Sequence, residues 1–469
     1  MSIIIAAVPY IDTVEPIMAP GLLKAILKEK NIESTAIDLN IEIIKFISDN
    51  PNKQKILDFF FSQIVHDQVI DDLISCIEYC SNRILEKKPK LVALSLLCYS
   101  CQIFTRWLCA DIKQKSPGVR IVIGGTGIKN FVADNNNSYF EQLKKIGLID
   151  DYIFGDGDVS FYEYVKGTTD FPGINSTQWI PINDLSLVPY PDYSDYDFDL
   201  YDVPVIPLND SRGCIKNCEF CDIIEHWKKY QFRSAESIFS EILYQIKKYG
   251  IYRFAFRNSL TNGNMKEFKK LLDLVCEFNL GKDKSQQISW SGYFIIREPK
   301  HHPLELWEKL KLSNADLLLG VESIIFKVRH AMGKTFNDED LDYHLEMSKK
   351  FEVPIGLLMI VAYPTETLAD FEYTKQWFRN KKQYAKYIKF VNLSFASILP
   401  GTQLSRRSDE YGIKKGKLPS IWINQNLQIT SEDRIKYLIE LEKICRDECG
   451  FVTLTSEQTI EHTNDSNLY

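Results

Sequence analysis

Short apolar runs separated by helix-length segments recur along this chain of 469 residues, and they leave few folds open. SIIIAAV (2–8), STAIDL (34–39), PKLVALSLL (89–97), VRIVIGG (119–125) and DDYIFGDGD (150–158) read as strands. Helical stretches at 19–31, 40–88 and 104–115 lie between them. Strands that alternate with helices and end in glycines predict an open parallel sheet, with a ligand crevice at its carboxyl edge. No G-x-G-x-x-G follows the first strand, where the loop is PYIDTVEPIMAPG, so an ordinary dinucleotide site is not expected. Residues 180–205 interrupt the alternation with closely spaced prolines, aspartates and tyrosines, the composition of a connector.

After the connector the alternation resumes. Strands are predicted at 203–208, 252–258, 287–296, 315–323, 353–362 and 388–397, with helices near 234–249, 264–278, 303–312, 336–351 and 367–380. Six such units predict an incomplete (β/α)6 barrel of the TIM type, with its chemistry on the loops that follow the strands. The expected fold is thus α/β: a Rossmann-like domain (1–179), the connector (180–205), the barrel (206–402) and a small helical C-terminal extension (403–469) built on SEDRIKYLIELEKICRDECG (431–450).

The formal charge of −7 argues against a general nucleic-acid surface. Neither a signal peptide nor a membrane-length apolar run is evident, so a cytoplasmic location is expected. Eleven cysteines in such a chain suggest reduced thiols and a few metal ligands. Cys76/Cys80 and Cys445/Cys449 fall four apart on predicted helices and read as core packing. His301 and His302 open a helix and are expected in solvent.

GCIKNCEFC (213–221) is different, because it follows the first strand of the second half and opens onto its carboxyl face. A structural zinc site closes with four ligands, and no second pair is near. Three thiolates on one polar loop suit a cubic iron–sulfur cluster with one iron left open for substrate. This C-x3-C-x2-C, with Phe220 before its last cysteine, resembles the radical S-adenosylmethionine (SAM) superfamily. So do FRSAESIFSEI (232–242), LLGVES (318–323), MGK (332–334), AYPTETLADF (362–371) and ILPGTQL (398–404). Thr365 replaces a glycine usual in that fifth-strand loop, so a different turn is expected there. The resemblance implies a [4Fe-4S] cluster held by Cys214, Cys218 and Cys221, which reduces SAM to methionine and a 5′-deoxyadenosyl radical. It implies SAM contacts from Phe220, Asn258, Ser259, Arg297, Glu322 and Ser323, with Glu322 on the ribose hydroxyls and Arg297 on the methionine carboxylate. The loop of Arg257, Asn258 and Ser259 usually carries acidic residues and departs here.

The first half resembles the cobalamin-binding domain that precedes the barrel in one class of this superfamily. The likeness rests on Pro20-Gly21, DLN (38–40), SLLCYS (95–100), VIGGTG (122–127) and GDGD (155–158). It implies corrin contacts from Pro9, Ser95, Leu97, Cys98, Gly124, Gly125, Thr126, Gly155 and Asp156, with LCYSCQ (97–102) under the lower face. Asp-x-His-x-x-Gly is absent from the first loop, so no histidine ligand is expected from it. The function expected is cobalamin-dependent methyl transfer to an unactivated carbon of a small molecule or peptide, with a flavodoxin- or ferredoxin-type reductant. A radical SAM enzyme that does not methylate, and an iron–sulfur electron carrier without SAM chemistry, are the alternatives.

Overall fold

The computed structural model describes residues 2–10, 14–62, 65–128, 138–227, 229–257, 259–416 and 419–455. The chain divides into two compact units, Met1–Pro207 and Leu208–Tyr469.

The first unit is built on five parallel strands: β1 (Ile3–Ala7), β2 (Thr35–Asp38), β3 (Leu91–Ser95), β4 (Arg120–Gly124) and β5 (Asp151–Ile153). Their order is β2-β1-β3-β4-β5. The strand period of two divides β1 and β3 between two cores. Ile4, Ala6, Val92 and Leu94 join one buried cluster, while Ile3, Ile5, Leu91 and Ala93 join the other. A sheet covered on both faces needs such near-continuous apolar strands, which is why all five are legible as runs. The expected helical stretch at 40–88 is three helices, Leu39–Phe46, Lys53–Ser62 and Ile70–Leu85, the last burying Cys76 and Cys80.

In the second sheet, β6 (Ile206–Leu208) is followed by a two-residue hairpin, β7 (Ser211–Arg212) and β8 (Gln231–Phe232). Then come β9 (Arg253–Phe256), β10 (Ser289–Phe294), β11 (Ala315–Glu322), β12 (Ile355–Val361) and β13 (Ile388–Phe395). A hairpin of β14 (Ile413–Lys415) and β15 (Trp422–Asn424) precedes β16 (Thr453–Thr455), which pairs in parallel with β13. The sheet order is β16-β13-β12-β11-β10-β9-β6. Four of the returning helices start on a side-chain cap: Ser234, Asn264, Asn337 and Thr367 each accept a backbone N–H of the first turn.

Two expectations change. The C-terminal segment carries its helix, Ser431–Lys443, but also a hairpin and the seventh strand of the sheet. His302 is not in solvent: it is 2% exposed, whereas His301 is exposed. The buried ring belongs to a hydrogen-bonded chain that replaces its hydration. His344 Nδ1 lies 2.7 Å from the Asp340 carbonyl, and His302 Nδ1 lies 2.7 Å from His344 Nε2. Because a carbonyl only accepts, His344 donates to it, so its Nε2 accepts from His302 and His302 Nε2 faces Asn262 Nδ2 at 3.3 Å.

Candidate functional site

The cysteine loop leaves the sheet through the β7–β8 hairpin, which holds its two ends together. Gly213 starts the loop at φ 79°, and a Cβ there would lie 2.6 Å from the Lys229 carbonyl oxygen. Only glycine tolerates both the dihedral and the close approach. Cys214, Cys218 and Cys221 are all half-buried. Burial pushes the Cys221 thiol up to about 12, and the neighbouring Cys218 and Cys214 add to it. Burial also raises Cys218, which the Lys334 ammonium partly offsets and Cys214 reinforces. Three thiols that repel one another as thiolates are a donor set waiting for a cation.

Among the described residues no three His, Cys, Asp or Glu side chains surround a point where one metal ion would sit. Three cysteines without a fourth ligand suit a cluster better than structural zinc, which closes with four ligands. Zinc would draw every sulfur to about 2.3 Å of one centre, whereas a cubane binds each thiolate through a different iron. His226, the nearest imidazole in sequence, is engaged by Asp222 at 3.0 Å.

The segment after β11 closes over this loop. Glu219 N–H donates to the Met332 carbonyl at 3.0 Å, and Lys216 Nζ donates to Thr335 Oγ1 at 2.9 Å. Gly333 packs so closely that a Cβ would meet the Asn217 carbonyl oxygen at 3.1 Å. Lys334 sits 5.9 Å from the centre of the Phe220 ring and donates to Glu322 Oε1 at 2.9 Å. Burial works against the Lys334 charge, but Glu322 and the Cys218 thiolate outweigh it, so its pKa rises. The cluster loop, Glu322 and Lys334 therefore form one charged patch at the carboxyl end of β11.

Glu322 ends β11 in the left-handed region, φ 66°, which bulky residues rarely adopt. Ser323 is buried and its hydroxyl caps the Ile325 N–H at 3.2 Å. Phe220 packs beside the cluster of Met332, Tyr363, Leu404 and Trp422. Arg297 donates to the carbonyls of Asn262 (2.9 Å) and Gly263 (3.4 Å), and so braces the loop after β9. Ser259 is half-buried on that loop; Asn258 lies outside the described residues. After β12 the left-handed residue is Ala362, φ 54°, which donates its N–H to Glu366.

Sequence reasoning missed Glu219. Its carboxylate, between two of the cysteines, accepts from Tyr411 (2.8 Å) and Tyr363 (3.2 Å) and pairs with Arg407, while its carbonyl accepts the Leu404 N–H at 2.8 Å. Partners 144 to 192 positions away leave no local signal.

In the first unit the loops after β3, β4 and β5 gather at the carboxyl edge. Pro9 is buried just past β1, and Ser95 ends β3 half-buried. Leu97 exposes 48% of its surface there, an apolar face without cover. Gly124 ends β4, and Gly125 turns at φ 94° where a Cβ would lie 2.3 Å from the Leu96 carbonyl oxygen. Gly125 is thus required by the chain's own packing, whatever else lies beside it. Thr126 hydrogen-bonds the Leu97 carbonyl. Gly155 fits against the Trp179 ring, and buried Asp156 accepts the Ile182 N–H at 3.3 Å. Leu97 is exposed and Cys98 half-buried at this edge, while Gly125 and Gly155 answer to the chain's own packing.

Residues 208–378 match the radical SAM superfamily model. A protein of Methanocaldococcus jannaschii named a methylthiotransferase is 25% identical over 59% of this chain and 62% of its own length. The ribosomal protein uS12 methylthiotransferase RimO of Thermotoga maritima is 27% identical over 54% of this chain and 56% of its own. The chain therefore spans less than two thirds of these relatives. Among solved structures, the radical SAM methyltransferase TsrM from Kitasatospora setae, with tryptophan and a SAM analogue bound, superposes with TM-score 0.67 at 13% identity, covering 99% of this chain and 93% of that one. The cobalamin-dependent radical SAM enzyme OxsB, with aqua-cobalamin and SAM bound, gives 0.61 at 15% identity, covering 87% and 56%. At such identities the structural likeness speaks for the fold. Residues 208–378 thus carry a radical SAM domain, and the chain shares the fold of TsrM and OxsB.

Proposed function

We propose that this chain is a cobalamin-dependent radical SAM methyltransferase. The observation that carries the radical half is the placement of Cys214, Cys218 and Cys221 on one loop beside the Glu322–Lys334 pair. When bound, a [4Fe-4S] cluster supplies the electron that splits SAM into methionine and a 5′-deoxyadenosyl radical. The three cysteines would hold that cluster. Glu322, with both carboxylate oxygens able to accept, would orient the ribose hydroxyls of SAM. Phe220, wedged in its apolar cluster, fixes the backbone beside the adenine. Lys334 holds Glu322 in place, and Arg297 with Ser259 shapes the loop nearest the methionine. The substrate is a small molecule or peptide, and a flavodoxin- or ferredoxin-type protein would deliver electrons.

Cobalamin would lie at the carboxyl edge of the first sheet, against Leu97 and Cys98, and would supply methyl-group transfer. The support is the exposed apolar Leu97 and the shared fold. The test needs no substrate. Full-length protein is loaded with hydroxocobalamin, passed through gel filtration, then given SAM and a strong reductant. Retained cobalamin and release of S-adenosylhomocysteine are expected. Exclusion of cobalamin overturns the methyl-transfer reading and leaves the radical one standing. Methylthio transfer is a second reading, supported by the names of the curated relatives; a product that gains sulfur together with methyl would establish it.

A further inference from the structure

The loop after β3 holds two more cysteines, Cys98 and Cys101, which the cluster does not use. Cys101 N–H donates to the Cys98 carbonyl at 3.2 Å, closing a tight turn that leads into the helix Gln102–Lys115. A hydrogen-bonded turn of this type brings its end α-carbons within about 7 Å, and the disulfide range reaches almost to that limit. The two thiols also share this turn closely enough that each shifts the ionisation of the other.

The two thiols have opposite surroundings. Cys98 is half-buried, still extended (φ −140°, ψ 174°), at the point where the chain starts to wind. The Ser100 hydroxyl lies 3.0 Å from its sulfur, and the backbone N–H groups of Ser100 and Cys101 point at it. Led by the Cys101 hydrogen bond, these donors draw Cys98 down to about 7 against its burial. Cys101 is fully buried, 3.8 Å from the Val8 carbonyl oxygen, and its hydrogen bond to Cys98, then burial, raises it. The neighbouring titratable groups, Cys109 and Tyr139, are both raised by burial and stay neutral. Elsewhere burial, helped by Asp72 at Cys76 and opposed by Lys113 at Cys109, pushes these two thiols up to about 12, the pattern of inert core thiols. Packing explains Cys101. It does not explain a hydroxyl held 3.0 Å from the half-buried Cys98 sulfur.

We propose that Cys98 and Cys101 are a redox-active dithiol, with Cys98 the nucleophile and Cys101 the resolving thiol, that exchanges with small disulfides of the glutathione type. The Cys98 thiolate attacks one sulfur of the disulfide, and one thiolate leaves. Cys101 then gives up its proton and attacks the Cys98 sulfur, releasing the second thiolate. Two electrons pass from the protein to the small disulfide, which becomes two thiols, while the protein gains one disulfide. The pair sits under the turn after β4, where Gly127 approaches so closely that a Cβ would lie 2.3 Å from the Cys98 carbonyl oxygen. Because Cys98 is also a residue against which cobalamin would lie, the exchange belongs to the protein without cobalamin, the form used in the test.

The test uses the full-length protein with its cluster and without cobalamin, equilibrated anaerobically in mixtures of reduced and oxidised glutathione, quenched by alkylation and digested with trypsin. Cleavage after Lys90 and Arg106 gives a peptide whose only cysteines are Cys98 and Cys101. Its unalkylated form, lighter by two hydrogens, should grow with oxidised glutathione along a two-electron curve and revert with dithiothreitol. In Cys101→Ser, Cys98 should stop at a glutathione adduct, and the midpoint of its alkylation rate should move from about 7 towards the ordinary thiol value of about 8.5. A peptide that stays dithiol in excess oxidised glutathione, or a wild-type Cys98 that alkylates with an ordinary thiol midpoint, would overturn the proposal. The wild-type titration decides it even if the variant fails to fold.

Discussion

The three cysteines proposed to hold the cluster lie within eight residues of one loop, so their spacing is legible without the fold. Their removal gives the most direct residue-level prediction. Anaerobically reconstituted wild type should hold about four irons at this site, and Cys214→Ala/Cys218→Ala/Cys221→Ala should hold none there. Full iron content in the triple variant would end the cluster assignment. Glu322 was legible from its motif, but its left-handed backbone and its bond to Lys334 were not, since both arise from packing after β11. Glu322→Gln keeps the shape and removes the charge. A charge-assisted hydrogen bond is worth about 1.5–3 kcal/mol, so SAM binding by equilibrium dialysis should weaken roughly tenfold or more while the iron content holds. Unchanged SAM affinity would remove Glu322 from the ribose.

At the scale of elements, the strands were readable and their ties were not. Every long strand buried on both faces declares itself as an apolar run. The three-residue β16 and the two-residue β7 and β8 are too short to show a period, and the partners that fix them are distant in sequence. Glu219 is the clearest case, a loop carboxylate clamped by Tyr363, Arg407 and Tyr411. Glu219→Ala should destabilise the second unit by about 2–4 kcal/mol, read by denaturant unfolding, and should speed loss of iron to a chelator. An iron-release rate equal to wild type would show that the clamp does not serve the cluster loop.

The histidine chain makes a pH prediction of known sign. Burial lowers His344 to about 4 from the ordinary 6.5, so between those values the unfolded chain binds a proton that the native state refuses. Stability from this residue is therefore complete above about 6.5 and is lost as pH falls towards 4, by about 3 kcal/mol at most. Glu366, raised by burial to about 7, acts in the opposite direction. The readout is therefore the difference between wild type and His344→Gln, which should shrink as the buffer is acidified from 7.5 to 5. A difference independent of pH would mean that His344 titrates normally.

At the scale of the molecule, two parallel sheets were foreseeable because alternation of strand and helix leaves little else to build. The composition had excluded a strongly basic surface, and among the described residues no helix is long and apolar enough to cross a membrane. What the alternation could not reveal is how Thr453–Thr455 return to the sheet beside β13. The central claim is that the second unit splits SAM by one-electron reduction. The measurement that tests it is 5′-deoxyadenosine formed from SAM by the reconstituted, dithionite-reduced full-length protein, beside the triple cysteine variant. The account predicts accumulation with wild type and none with the variant. Wild type that carries a reducible four-iron cluster yet forms no 5′-deoxyadenosine, with or without cobalamin, would contradict it and leave an iron–sulfur electron carrier.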